Sequence, residues 1–334
     1  MKIVVTGGAG YIGSHTVVEL LHSGFDVIVI DNMSNSDQQN IDGIEKITEK
    51  KIKFYNVDCT DSHAVNSVFK KEKDILGLIH FAALKSVEES IRLPEKYFKN
   101  NIGSLEVILK QMKNNCIDNI IFSSSCTVYG SPDMLPVNED SPFKTPESPY
   151  AETKQLCEDI LKKSDVKSIS LRYFNPIGSH PSALIGDCSA DKPANLVPII
   201  CEVAKGVRKE LIINGNDYNT YDGTCVRDYI HVLDLAKSHV LALRYLLKKQ
   251  KKDIFNVGTG KGTSVLECVN AFQKSNNVNL NFSFGKRRSG DIAKIYSDNG
   301  KILKFLKWKS EIKIDIAMRD AWNWELKKNN KIKS

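Results

Sequence analysis

The sequence has few of the patterns that bind metal ions or build disulfide frameworks. None of its eight cysteines are spaced CxxC, and its seven histidines form no HExxH or HxxxH pair. Zinc sites use such closely spaced ligands. We therefore expect no metal site, and thiols that stay reduced as in a cytoplasmic protein.

Long apolar runs and clustered charge are also missing. No apolar stretch approaches the ~20 residues of a membrane span. The opening MKIVVTGG has the pattern of a strand and not of a signal peptide. The net charge of +7 is diffuse, densest at 248–252 and 327–334, with no basic stripe interleaved with aromatic residues. These absences favour a cytoplasmic protein that binds neither nucleic acid nor a membrane.

The chain shows no internal repeat and no low-complexity linker. Its 334 residues are 41% hydrophobic and 26% charged, which is ordinary for a globular protein with an ample core. The length allows one large domain or two.

The first 31 residues read as strand, glycine turn, helix and strand. The apolar runs 2–6 and 26–31 flank GGAGYIG and a helical stretch that should stop at Gly24. Glycines 7, 10 and 13 would let the backbone approach a pyrophosphate at the helix N-terminus. Asp31 ends the second strand, where it can bind an adenosine ribose and repel a 2′-phosphate. The pattern predicts a dinucleotide site that prefers NAD to NADP.

Further strand-like runs alternate with helical segments. They lie at 52–58, 75–83, 119–125 and 168–174, and a long helical segment covers 94–114. This alternation predicts a doubly wound parallel α/β sheet, with ligands bound beyond the carboxyl ends of its strands. The residues at those ends are Asp58, Phe81, Ala82, Ala83, Lys85, Ser123, Ser124 and Ser125.

The stretch SPYAETK opens another predicted helix, over 149–163. Pro149 suits a first helical turn, and Tyr150 and Lys154 would share one face, ~6 Å apart along the axis. One interpretation is an ordinary amphipathic helix with a surface lysine. The other is a phenol whose pKa is lowered by the neighbouring ammonium, so that it acts as an acid and base near neutral pH.

Several blocks together resemble the extended short-chain dehydrogenase/reductase family. The similarity covers residues 1 to about 324, and DGTCVRDYIHV is far more specific than the glycine triplet. The matching blocks are GGAGYIG (7–13), HFAALKSVEES (80–90), SSSCTVYG (123–130), SPYAETK (148–154), RYFNPIGSHP (172–181), NLVP (195–198), NGNDYNTYDGTCVRDYIHV (214–232) and KRRSGD (286–291).

The resemblance implies a Rossmann sheet, a smaller C-terminal α/β lobe that binds a nucleotide-sugar, and an isomerase of carbohydrate metabolism. The blocks are most similar to family members that invert C4 of UDP-glucose and UDP-galactose. Such enzymes pass the C4 hydride to tightly bound NAD⁺, let the flat 4-ketose turn, and return the hydride to its other face. The implied catalytic residues are Tyr150 as base and acid, Lys154 and Ser125.

The resemblance also implies the residues that bind each ligand. Arg227 and Arg288 match a pyrophosphate clamp, whose alternative is surface ion pairs with aspartates nearby in sequence. The implied NAD contacts are Gly7, Gly10, Tyr11, Ile12, Gly13, Asp31, Asn32, Asn35, Asp58, Cys59, Phe81, Ala82, Ala83, Lys85, Asn100, Ser123, Tyr150, Lys154 and Phe174. The implied substrate contacts are Lys85, Ser125, Thr127, Tyr150, Asn175, Asn195, Leu196, Arg227, Arg288 and Asp291.

Ile295 stands where family members adjust the size of the sugar pocket, since a bulky aromatic favours plain hexoses and a small residue admits an N-acetyl group. UDP-N-acetylglucosamine therefore stays open as a second substrate. Ser125-Cys126 replaces the acid pair of a 4,6-dehydratase and argues against that activity. A UDP-sugar reductase that releases NAD and a non-catalytic NAD-sensing regulator are two further alternatives. We interpret Cys126, His80 and His231 as structural.

The resemblance implies a division into an NAD-binding domain at 1–174 and a nucleotide-sugar lobe at 175–334. Residues 231–257 resemble a helix and strand that return to the first domain. Family members usually form homodimers through two helices of the cofactor domain, here 94–114 and 149–163. The apolar faces of these helices can equally be packed on their own sheet.

Overall fold

The computed structural model describes residues 1–189, 193–288 and 291–328. Ser289 and Gly290 of the KRRSGD block, and residues 329–334 of the basic tail, lie outside them. Within the described part, no helix is both long and apolar enough to cross a bilayer.

The strands of the described residues are numbered here in chain order. They are β1 (Lys2–Thr6), β2 (Asp26–Asp31), β3 (Lys53–Asn56), β4 (Ile75–His80), β5 (Asn119–Ser125), β6 (Lys167–Tyr173), β7 (Asn175–Ile177), β8 (Leu211–Asn214), β9 (Val226–Arg227), β10 (Tyr229–His231), β11 (Asp253–Val257), β12 (Thr263–Ser264), β13 (Phe282–Gly285) and β14 (Lys294–Ile295).

The α-helices are numbered in the same way. They are α1 (Tyr11–His22), α2 (Gln38–Thr48), α3 (Ser62–Lys71), α4 (Val87–Arg92), α5 (Pro94–Tyr97), α6 (Gly103–Asn114), α7 (Pro149–Lys163), α8 (Leu196–Ala204), α9 (Val232–Lys249), α10 (Val265–Asn276), α11 (Gly300–Leu306) and α12 (Ile314–Lys327).

Seven of these strands form one parallel sheet in the order β11-β6-β5-β4-β1-β2-β3. The order reverses at β1 and β4, which are hydrogen-bonded neighbours. A doubly wound sheet binds ligands at such a reversal, outside the carboxyl ends of its strands. The predicted doubly wound fold is confirmed, and β1, β2 and β5 have the predicted bounds.

Two apolar layers cover the sheet. One contains residues of α1, α2 and α9, and the other contains residues of α3, α6 and α7. Strand residues alternate between them, since Ile3 and Val5 belong to the first layer and Val4 to the second. Each fully buried Val or Ile contributes about 1.5–3 kcal/mol, so burial on both faces explains the β-branched runs of the sequence.

The predicted helix at 94–114 is interrupted by a π-helical turn at Phe98–Ile102. Asn101 in this turn is buried; its Oδ1 accepts the N–H of Leu84 at 2.8 Å, and its Nδ2 donates to the carbonyl of Leu84 at 3.1 Å. Nδ2 also lies 3.2 Å from Oγ1 of Thr153 on α7. Extra-residue turns of this kind often accompany functional sites, and this one joins the loop after β4 to α7.

Outside the seven-stranded sheet, the described C-terminal half of the chain forms small sheets and helices. β8 pairs with β13, and β9 lies between β12 and β14. A third apolar cluster joins α8, α10 and α12. Two elements of this half pack against residues 1–174. Helix α9 packs on α1, and β11 pairs with β6 at the edge of the main sheet.

Candidate active site

The glycine turn after β1 leaves no room for a side chain at Gly7 or Gly13. Gly7 has a φ of +70°, and a Cβ there would lie 2.7 Å from the main-chain nitrogen of Ala82. A Cβ on Gly13 would lie 2.1 Å from the carbonyl oxygen of Gly7. The N-cap of α1 is Gly10, which has no side chain to cap the helix, and the first turn carries no acidic residue. Its first N–H groups therefore suit an anion, as a dinucleotide pyrophosphate requires.

Asp31 organises the loops on either side of this turn. One carboxylate oxygen accepts the N–H of Ala9 at 3.0 Å, and the other accepts the N–H of Met33 at 3.0 Å and the hydroxyl of Ser36 at 2.9 Å. A carboxylate has about four lone-pair positions, so capacity for a ribose hydroxyl remains. The carboxylate would repel the 2′-phosphate of NADP there, so the site favours NAD as the cofactor.

Two of the predicted NAD contacts, Asn32 and Asp58, follow the ends of β2 and β3. Asn32 donates to Asp58 at 2.8 Å, and Thr60 donates to Asp58 through its N–H and hydroxyl. Burial raises the pKa of Asp58, but these hydrogen bonds outweigh it and leave the pKa lowered. Cys59 beside it is buried, and burial raises the pKa of its thiol to about 12.

Lys85 follows the segment Phe81–Ala83 at the end of β4. Its side chain is exposed, and its Nζ lies 2.8 Å from the hydroxyl of Ser189 and 3.7 Å from the carboxylate of Asp187. The predicted contacts of Lys85 with cofactor and substrate would therefore compete with this ion pair. Asn100 lies in the π-helical turn and is half-buried.

The Tyr-Lys pair lies against the end of β5. Tyr150 begins the first turn of α7 after Pro149, with Ser148 capping the helix through the N–H of Ala151. Lys154 is buried; its Nζ donates to the carbonyl of Ser123 at 2.7 Å and lies 5.7 Å from the ring centre of Tyr150. Ser125, the last residue of β5, lies close enough to Tyr150 for its side chain to lower the pKa of the phenol. The predicted catalytic residues therefore share one small site.

The predicted effect of Lys154 on Tyr150 is wrong for the protein alone. Burial raises the pKa of Tyr150 to about 12, although the side chain of Ser125 lowers it. Burial also lowers the pKa of Lys154 to about 8, although Cys157 and Glu158 raise it. Desolvation is therefore the largest cause of both pKa shifts, and each shift disfavours the charged form of its group. A phenolate needs further positive charge in the site.

Thr127 and the segment Phe174–Asn175 line the same end of the sheet. Oγ1 of Thr127 is buried and has no hydrogen-bond partner within residues 1–189, 193–288 and 291–328. Such a group is costly unless a ligand or water satisfies it. Phe174 packs with Val128 and Ile295 in a small cluster, so the predicted size-setting residue Ile295 lies beside this segment.

The two predicted pyrophosphate arginines differ in their contacts. Arg227 is half-buried, and its Nη2 lies 3.4 Å from a carboxylate oxygen of Asp291. Arg288 is exposed. Asn195 is exposed at the N-cap of α8, and Leu196 packs against the third apolar cluster. Arg227 thus pairs with an aspartate distant in the sequence and not with its neighbour Asp228, and Asp291 is itself a predicted substrate contact.

A buried network behind the site was missed from the sequence. Glu158, one turn beyond Lys154, accepts hydrogen bonds from Nε and Nη2 of Arg172 at 3.0 and 2.7 Å and from the hydroxyl of Ser124. Ser123 is hydrogen-bonded to Tyr173. These contacts attach α7 to β5 and β6. The signal that could have identified the network is Arg172 itself, a charged residue inside the apolar strand 167–173.

A glycine cradle for a dinucleotide and a Tyr-Lys pair at the same sheet edge define a protein of the short-chain dehydrogenase/reductase class. Residues 3–258 match the model of the NAD dependent epimerase/dehydratase family. The chain belongs to this family.

Three similar proteins agree with this membership. UDP-glucose 4-epimerase of Haemophilus influenzae is 45% identical, over 99% of this chain and 98% of its own. The structure of UDP-glucose 4-epimerase from Bifidobacterium longum with NAD⁺ and UDP has a TM-score of 0.94 at 43% identity, covering 98% and 99% of the two chains. That from Stenotrophomonas maltophila, with NAD and formylated UDP-arabinopyranose, has a TM-score of 0.94 at 41% identity and covers 98% of each chain.

Proposed function

We propose that this protein is an NAD-dependent 4-epimerase that interconverts UDP-glucose and UDP-galactose. The observation that carries the proposal is the convergence of Tyr150, Lys154 and Ser125 beside the glycine turn. The full-length relatives named UDP-glucose 4-epimerase support it. So do the solved neighbours that hold NAD with UDP or a UDP-sugar.

In this proposal the chain's own residues move one proton and hold the sugar. Oη of Tyr150 takes the proton of the 4-hydroxyl and later returns it. Ser125 and Thr127 bind the 4-oxygen and its surroundings. NAD⁺, when bound, accepts and returns the C4 hydride, and its positive ring favours the phenolate that the protein alone disfavours. Lys154, fixed by the carbonyl of Ser123, is placed to bind the nicotinamide ribose.

The nucleotide would be held by the lobe. Arg227 and Arg288 would bind the pyrophosphate, which a guanidinium fork suits better than a lysine. Asp291, already next to Arg227, would bind the ribose, while Asn175, Asn195 and Leu196 hold the sugar and uridine diphosphate. The remaining predicted NAD contacts, among them Asn32, Asn35, Asn100 and Phe174, keep the roles assigned above.

We further propose that residues 1–174, joined by 231–257, form the NAD-binding domain, and that the protein is a cytoplasmic homodimer. Apolar side chains stand exposed on neighbouring helices of that domain, which favours an interface there. They include Leu156 of α7 at 37% exposure and Ile91 of α4 at 62%.

Deuterium placed on C4 of UDP-glucose tests the proposed reaction. We expect UDP-galactose to form without added NAD and to keep the label, because the hydride never exchanges with water. Chromatography with mass spectrometry measures both. Loss of the label to water, or a requirement for added NAD in each turnover, contradicts the proposal and favours the reductase alternative.

Ile295 offers a test of sugar choice. It is 4% exposed and packs with Val128 and Phe174, so replacing it with alanine should enlarge the pocket. We expect Ile295→Ala, which removes three carbons, to raise the ratio of activity on UDP-N-acetylglucosamine to activity on UDP-glucose by at least about threefold, since even one methylene in a pocket changes selectivity by about 1–3 kcal/mol.

The matched control is Ile302→Ala, in α11, where the isoleucine is also fully buried. Both variants should lose about 2–5 kcal/mol of stability. Only the first should change the product ratio measured with the two substrates. An unchanged ratio would separate Ile295 from the sugar pocket.

A further inference from the structure

Asp228 lies between β9 and β10, directly after Arg227. It is fully buried, and neither the sequence patterns nor the proposed mechanism assign it a role. A buried carboxylate is costly unless hydrogen bonds compensate it. The residues that donate these hydrogen bonds therefore indicate which parts of the structure Asp228 holds together.

Five hydrogen bonds converge on this carboxylate. Oδ1 accepts the N–H and the hydroxyl of Thr259, both at 2.7 Å. Oδ2 accepts the N–H of Gly260 at 3.1 Å, and the N–H and hydroxyl of Ser297 at 3.2 and 2.7 Å. The donors come from two segments that are distant from Asp228 in the sequence.

These two segments flank the strands that enclose Arg227. Arg227 lies in the middle strand β9, where it pairs with Thr263 of β12 and with Ile295 of β14. Gly260 stands just before β12, and Ser297 stands just after β14. The carboxylate therefore joins the ends of both neighbours of the strand that carries the arginine.

The main chain of Asp228 makes another connection. Its carbonyl oxygen accepts the N–H of Asn175 at 2.9 Å, at the start of β7. Asn175 and Arg227 are both proposed substrate contacts. One residue thus connects the segment at the end of β6, the arginine strand and the turn after β11 of the main sheet.

We propose that Asp228 is the positioning residue of the nucleotide-sugar site, holding Arg227 and Asn175 at the geometry that binds the UDP group. This inference rests on the proposed function. Because five donors already occupy the carboxylate, it does not pair with the guanidinium beside it. Arg227 instead lies against Asp291, within the site, where a phosphate can reach it.

Aspartate is the side chain that this position requires. Each oxygen receives at least two donors, and asparagine would turn an NH₂ group against one of these pairs. The space is equally restricted, since a Cβ on Gly258 would lie 2.4 Å from Oδ2 of Asp228 and 2.3 Å from the hydroxyl of Ser297. Replacement by asparagine should therefore displace the strands around Arg227.

The experiment compares Asp228→Asn with Asp234→Asn. Asp234 on α9 is also buried, and its Oδ2 accepts hydrogen bonds from Ser310, Glu311 and Ile312. It therefore controls for the loss of a buried carboxylate network elsewhere. Steady-state kinetics with UDP-glucose, calorimetry with UDP, released NAD and the melting temperature are measured for both variants and the wild type.

For Asp228→Asn we expect KM for UDP-glucose and Kd for UDP to rise at least about tenfold, or ~1.4 kcal/mol. The kcat value should stay within about threefold, and bound NAD should stay unchanged, because the binding lost is made equally in the ground state and the transition state. Asp234→Asn should lower the melting temperature but leave KM and Kd within about twofold of wild type.

Ser297→Ala removes one donor hydroxyl and keeps the proposal testable if Asp228→Asn does not fold. We expect it to weaken UDP binding by about threefold. Unchanged UDP affinity in the variants that fold, or equal losses in Asp228→Asn and Asp234→Asn, overturns the inference. Failure of the wild type to epimerise refutes the proposed function alone, because UDP calorimetry still tests Asp228.

Discussion

Replacing Tyr150 with phenylalanine is expected to reduce epimerisation by about 10³-fold or more. The phenol is the proposed group that takes the proton of the 4-hydroxyl, and a positioned acid-base group contributes about 10²–10⁴-fold. Ser125, which lies beside it, cannot replace it, because its hydroxyl is a far weaker base than a phenolate. The ring stays in place at the start of α7, so folding and NAD content should be retained.

The control is Tyr245→Phe. Tyr245 lies on α9, and its hydroxyl lies 3.5 Å from Asp253, at the amino end of β11. Losing this hydroxyl should change turnover less than about twofold. Initial rates of UDP-galactose formation and the NAD released on denaturation are measured for both variants. A Tyr150→Phe variant that epimerises at the wild-type rate removes Tyr150 from catalysis, and a wild type that binds NAD without turnover favours the NAD-sensing alternative.

The pair Tyr150 and Lys154 shows what a motif can and cannot predict. Its spacing predicted the helix, the shared face and the proximity, all of which depend on residues within one turn. The pKa of the phenol was not predictable, since it depends on burial under segments far away in the chain. Burial raises that pKa and lowers the pKa of Lys154 to about 8.

The same distinction holds for the fold. The first strand, glycine turn, helix and second strand were predictable because glycine geometry and apolar runs are local signals. The π-helical turn at 98–102 was not, because Asn101 bonds to the main chain of Leu84 and to Thr153. The ion pair of Lys85 with Asp187 could not be predicted either, because the two residues are over one hundred positions apart in the sequence.

Replacing Gly13 with alanine is expected to abolish tight NAD binding and, without added cofactor, to reduce turnover by at least about 10²-fold. The new Cβ would lie 2.1 Å from the carbonyl oxygen of Gly7 and 2.8 Å from Cα of Gly8. Both are backbone atoms of the turn, so either the turn or α1 must shift. A displacement of about 1 Å in a positioning element can cost about 10²-fold, and here it moves the first N–H groups of α1 away from the pyrophosphate.

Gly103→Ala is the matched control, because a Cβ at Gly103 meets no atom within 4 Å and the residue has helical φ and ψ of −61° and −38°. That change should leave NAD content intact and stabilise α6 by about 0.5–1 kcal/mol. The measurements are the NAD released per chain on denaturation, circular dichroism and the rate of epimerisation with and without added NAD. Partial rescue of Gly13→Ala by excess NAD would show that binding, not the chemical step, was lost. Wild-type NAD content in Gly13→Ala would show that the turn tolerates a side chain, and the cradle would then have to lie elsewhere in the chain.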